Sequence, residues 1–247
     1  MKQHQDGAAR WPLPEELPLP VIMDQQWIDA VFLHWRIPEP VAARFMPRGV
    51  QPDTFDGSSW AGLIGFRMKK AGIGRGPGIP HLGSFTEVNV RLYSRETDGT
   101  RGVVFLSLDA NRLPVVLAAR AAGLPYVWSR TGYEPPSARS PVTSYSVRRF
   151  RQGASSRFRA ALDLGKFVED PLSTHLTARF GLHSTFKGQT LYIPNTHEPW
   201  PLYGANVLEL NDGLMAAAGI EVDGPPESVL YSPGVRTQFG RPRFLGR

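Results

Sequence analysis

No cysteine occurs among the 247 residues, so disulfides, thiolate nucleophiles and cysteine-ligated zinc or iron–sulfur centres are excluded. No stretch approaches the roughly 18 consecutive apolar residues that a membrane-spanning helix needs. The opening MKQHQDGAARWPLPEELPLP has no apolar signal core, so the chain is expected to be cytoplasmic and not membrane-bound. Lysine is scarce: Lys2, Lys69, Lys70, Lys166 and Lys187 are five of the 28 basic residues, and the rest are arginine. The histidines form neither His-x-His nor HExxH, and His197-Glu198-Pro199 cannot continue as a helix, so no metal site is expected. There is no Gly-x-Ser-x-Gly elbow. The GIGRGPGIP segment over 72–80 fits neither dinucleotide- nor phosphate-loop spacing, and its prolines prevent the helix start that would receive a phosphate. It reads as a mobile loop over a pocket mouth, and no cofactor is expected.

What is plentiful is glycine and proline, 25 and 23 residues, a proportion that suits a turn-rich β protein better than a helical bundle. Residues 1–20 read as an extended N-terminal arm that either packs through Trp11 or stays disordered. Residues 21–247 read as one α+β, β-dominated domain with about three helices around the sheet. The net charge is +6. Its densest basic run, Arg148, Arg149, Arg151, Arg157 and Arg159, falls on a hairpin turning over Gln152–Ser155. That hairpin is either a solvated face or a contact surface for an acidic partner or nucleic acid. No zinc-finger or RNA-recognition signature accompanies it, which disfavours nucleic acid.

The register of one hairpin carries the chemistry. Along 85–95, Phe85, Glu87, Asn89, Arg91 and Tyr93 share one face, and Val88, Val90 and Leu92 the other. A three-residue turn with Gly99 left-handed pairs Glu96 with Thr100. It sets Leu92 opposite Val104, Val90 opposite Leu106 and Val88 opposite Leu108, so the apolar faces coincide. The same register predicts Glu87 opposite Asp109 and Asn89 opposite Ser107. Two facing carboxylates raise one another's affinity for protons. The polar face is either a solvated sheet surface or the lining of a pocket.

Several stretches together resemble a known family. SFTEVNVRLY and GVVFLSLDANRLPVVLAARAAGLPYVWS resemble the bacterial YqjF-like family, within the acetoacetate decarboxylase-like superfamily. VFLHWRIPEPVAARFMPRGVQPDTFDGSSWAGLIGF, LTARFGL and HEPWPLYGANV agree, and the resemblance covers most of residues 21–240. It implies a closed or nearly closed, cone-shaped antiparallel β-barrel with a few outer helices and a pocket inside. It also implies Schiff-base chemistry on a lysine after a Gly-x-Pro step, assisted by a glutamate to which Glu87 corresponds. Here Gly123-Leu124-Pro125 is followed by Tyr126, and a phenol cannot condense with a ketone to an iminium.

Two functions stay open. The first is a protein of this superfamily that binds a small carbonyl or carboxylate compound, with Glu87, Asp109 and Tyr126 as candidate catalytic residues. Whether it is an enzyme is open; if so, its chemistry is lyase-like acid/base chemistry without a Schiff base. Asn89, Arg91, Arg120 and His34 are the candidate ligand-binding residues. Arg120 either grips a carboxylate with two donors or caps its helix, and His34 is either a core histidine or a pocket donor. The second is a non-enzymatic interaction protein using the Arg148–Arg159 hairpin. A homodimer through a strand edge is compatible with both.

Overall fold

Alternating apolar and polar residues put most of the chain into strands, and prolines confine the helices to short pieces. The computed structural model describes residues 11–12, 16–137, 139–151 and 153–246. Most of the expected arm (1–10 and 13–15), and Gln152 in the basic hairpin's turn, lie outside these. Within the arm, Trp11 stands edge-on to Phe180 and His197.

The strands are β1 (Met23–Ile37), β2 (Val50–Pro52), β3 (Ser59–Ile73), β4 (Phe85–Glu96), β5 (Arg101–Ala110), β6 (Tyr126–Glu134) and β7 (Val142–Arg149). They continue with β8 (Ser155–Phe167), β9 (Gly181–Phe186), β10 (Gln189–His197), β11 (Tyr203–Asp212), β12 (Ser228–Phe239) and β13 (Arg243–Phe244). The helices are α1 (Glu39–Ala43), α2 (Leu113–Ala121), α3 (Pro171–Thr177) and α4 (Leu214–Ala217). α3 starts as its sequence demands: Pro171 fills the first turn, and Ser173 N donates to the Asp170 carboxylate at 2.9 Å.

Strand pairing runs from β4 through β5, β6, β7, β8, β11, β12, β1 and β3, and returns to β4. A second circuit uses β5, β9, β10, β12, β1, β3 and β4. The two share β1, β3, β4, β5 and β12. Pairing is not antiparallel throughout, as the resemblance implied, because β5 runs parallel to β6 and to β9. α2 is the crossover that a parallel β5–β6 pair requires.

The shared β1–β3–β4 wall has two different faces. One packs Leu33, Leu63, Val88, Val90 and Leu92 against Tyr145 and Phe158 of β7 and β8. The other carries Phe32, Ile64, Phe66, Met68 and Phe85. It borders a cavity of about 520 Å3 that every strand of the second circuit helps to line and that α2 flanks. The valine and leucine side of β4 is thus core, and its polar side faces this space.

The β4–β5 register follows the expectation only near its turn. Glu96 N donates to Thr100 O, Gly99 has φ +94°, Leu92 pairs with Val104 and Arg91 with Phe105. Between Val90 and Arg91 the ladder slips, leaving Leu106 as a bulge, and Val90 then pairs with Ser107. Val88 therefore pairs with Asp109, Asn89 with Leu108 and Glu87 with Ala110. One extra residue transfers Asp109 to the face opposite Glu87.

Candidate functional site

Glu87, Asn89 and Arg91 project from successive same-side positions of β4, and all three line the cavity. Tyr126, the first residue of β6, enters the same wall because it pairs in parallel with Leu108, another lining residue. Its hydroxyl donates to Glu87 Oε2 at 2.7 Å, while Asn89 Nδ2 approaches Glu87 Oε1 at 3.4 Å. Glu87 is 2 % exposed. Burial pushes its carboxyl up to about 7, against the two hydrogen bonds that favour the charged form. The charge of Asp109, across the sheet, adds a smaller push in the same direction. Tyr126 is held well above the phenol range, first by desolvation and then by the Glu87 carboxylate, so it remains a neutral donor.

Arg91 is held from behind. Its Nε donates to Tyr93 Oη at 3.2 Å and its Nη2 to Leu176 O at 3.2 Å. Tyr93 Oη lies 2.6 Å from His34 Nε2. The phenol oxygen thus joins the Arg91 guanidinium to the His34 ring, whose Nδ1 has no partner among the described residues. Burial, and then the Arg91 charge, hold His34 well below the usual imidazole range, so it stays neutral. Gly62 leaves room beside them: a Cβ there would lie 2.7 Å from the Ile64 side chain, 3.1 Å from the His34 ring and 3.2 Å from Tyr93 Oη. His34 thus backs the site from outside the cavity lining and positions Arg91 through Tyr93.

No carboxylate among the described residues lies within ion-pair distance of Arg91. Its neighbour across Tyr93 is Arg179, 4.9 Å over the same ring and also lining the cavity. Arg179 is bound to Asp53, which also takes Arg101, while its Nη2 has no partner among the described residues. This end of the cavity therefore has more positive than negative charge.

Besides His34, two expected site residues lie off the cavity. Asp109 faces away from the cavity and is fully buried in a two-pronged ion pair with Arg149, both contacts 2.9 Å, with Ser129 donating at 2.6 Å. The expected Glu87–Asp109 pair is replaced by a lone carboxyl whose pKa is raised by burial. Arg120 is exposed, because α2 turns Ala118 and Ala119, and its C-cap Ala122, toward the cavity instead. Lys69 and Lys70 also lie outside the lining. Conversely, Arg179, Asn195 and His197 line the cavity, though none of them is among the expected binding residues. Arg179 and His197 sit in LTARFGL and HEPWPLYGANV, so the signal was present as a resemblance but without a role.

With the geometry in place, the chain can be set beside known proteins. A family model, DUF2071, described as "uncharacterized conserved protein", matches residues 24–236. The uncharacterized protein YqjF of Bacillus subtilis (strain 168) is 28% identical over 208 residues, which is 84% of each chain. Acetoacetate decarboxylase from Legionella pneumophila superposes with a TM-score of 0.64 at 11% identity, over 98% of this chain and 94% of the other. The enduracididine biosynthesis enzyme MppR complexed with pyruvate gives 0.63 at 13% identity, over 97% and 94%.

Proposed function

The chain belongs to the DUF2071 family and has an acetoacetate decarboxylase-like fold, and from that premise we propose that its cavity binds an oxo acid on which Glu87 moves a proton. The substrate carboxylate lies against Arg91, and the carbonyl lies beside Tyr126 and Asn89. The observation that carries this reading is the Tyr126–Glu87 hydrogen bond, in a cavity also lined by Arg91, which has no carboxylate partner among the described residues. A carboxyl group poised at about 7 is suited to taking and returning protons near neutrality. Glu87 removes a proton from the carbon next to the carbonyl, and the electron pair moves onto the carbonyl oxygen. Neutral donors stabilise that enolate. Return of the proton to carbon restores the oxo acid, with solvent exchange as the visible result. That MppR has been obtained complexed with pyruvate makes oxo acids the first compounds to try.

In this reading no Schiff base forms. None of the lining residues is lysine, and Tyr126 follows the Gly123-Leu124-Pro125 step. The returning strand circuits are read as a closed cone that shields the enolate from bulk water. The test is nuclear magnetic resonance of pyruvate in deuterium oxide. Protein-dependent loss of the methyl protons is expected, about a hundredfold or more slower with Glu87→Gln. Exchange that persists unchanged in E87Q, or a borohydride-trapped lysine adduct, would overturn the proposal.

The interaction-protein reading has less behind it. Arg149 is buried against Asp109, and Arg157 and Arg159 reach Glu209. Only part of the basic hairpin is left to attract an acidic partner.

A further inference from the structure

Chemistry along the shared wall is layered by strand register. Gly62 pairs with both His34 and Arg91, and this is the innermost level. Ile64 then joins Phe32 to Asn89, and Phe66 pairs with Glu87. Beyond Glu87 the wall turns mainly apolar: Met68 joins Trp27 to Phe85, and Gln25 follows Trp27 as a buried polar side chain of β1 in the lining. The last level pairs Met23 with Ile73, which are 41% and 78% exposed and still line the cavity. His34, at the other end of the same strand, is 0% exposed. The cavity thus carries positive charge at its inner end and the Glu87 carboxyl nearer the mouth, then a mainly aromatic and aliphatic sleeve, with Gln25 and His197 its polar members near Trp27, leading to an apolar rim. α2 contributes alanines to the sleeve, which leaves it wide. At a strand rise of about 3.3 Å per residue, the seven steps from Phe66 to Ile73 span roughly 23 Å.

We propose that the substrate is an oxo acid with a long apolar tail, its carboxylate innermost and its tail running along the Trp27–Met68–Phe85 level to the Met23–Ile73 rim. This rests on the oxo-acid reading above and adds the tail. A pyruvate-sized molecule would leave the sleeve empty or wet, whereas each methylene buried there is favourable by about 0.8 kcal/mol, a roughly fourfold gain in affinity.

The experiment is calorimetric titration of the whole chain with 2-oxo acids of three, four, six, eight and ten carbons, alongside the plain carboxylates of six and eight carbons. Affinity is expected to climb about fourfold per added methylene up to eight carbons or more, with 2-oxooctanoate well ahead of octanoate. Ala119→Phe, which fills the sleeve, is expected to shrink the ratio of 2-oxooctanoate to pyruvate affinity. Flat or falling affinity along the series, with pyruvate still bound, overturns the tail and leaves the oxo-acid reading intact. Octanoate binding as tightly as 2-oxooctanoate supports the tail and counts against the oxo-acid reading. Binding by no member of the series overturns both.

Discussion

Glu87 depends on its neighbours for the pH at which it works. Burial raises its proton affinity, and the Tyr126 hydrogen bond opposes that rise by favouring the carboxylate. Tyr126→Phe therefore removes an opposing influence, and the Glu87 carboxyl should move further above 7. The pH profile of proton exchange is expected to inflect at higher pH in Y126F; an inflection at the wild-type pH would mean that Glu87 is not the titrating base. At this scale the sequence was legible where alternation was unbroken. Glu87, Asn89 and Arg91 lie on a strand without internal slips, so spacing by two predicts that they share a wall. Asp109 and Arg120 were misplaced for separate reasons: one lies beyond a bulge, and the other is on a helix whose alanine side faces the cavity. Arg179 and His197 come from distant strands and connections, and no local pattern announces that they converge.

Bulges account for most of what spacing concealed. In β5 the extra Leu106 lets Phe105 and Leu108 both line the cavity while sending Asp109 to the far side. In β1 the slip between Ile28 and Val31, where Asp29 has φ +55°, does the same for Trp27 and Phe32. An alternation rule applied across either bulge exchanges the faces, which is why the β5 lining could not be read from spacing. The displaced Asp109 has a structural consequence: Arg149 ties β7 to β5 at side-chain exposures of 4% and 0%. Removing one member of a buried pair leaves the other charge without compensation. Arg149→Met is expected to destabilise the fold by about 3–5 kcal/mol in urea unfolding. The double substitution R149M with Asp109→Leu should recover much of that loss. An R149M protein as stable as wild type would show that the pair does not bind these strands together.

Across the whole molecule, buried imidazoles and the buried glutamate pull stability in opposite directions. His34, His175, His183 and His197 are all lowered, chiefly by burial, with His175 at about 3. Below pH 6.5 their unfolded counterparts take up protons that the folded groups refuse, so stability falls on acidification. Glu87 has the reverse sign: its folded form binds a proton up to about 7, its unfolded form only to about 4.5. Its contribution is complete below 4.5 and lost as pH rises through 7. Four groups oppose one, so urea midpoints should fall between pH 6.5 and 5, with a slope of at most about 4 kcal/mol per pH unit. E87Q removes the single opposing group, so its decline over the same interval should be steeper than that of the wild type. Parallel profiles for the two proteins would mean that Glu87 does not carry a raised proton affinity in the folded state. The chemistry proposed for the cavity would then lose its base.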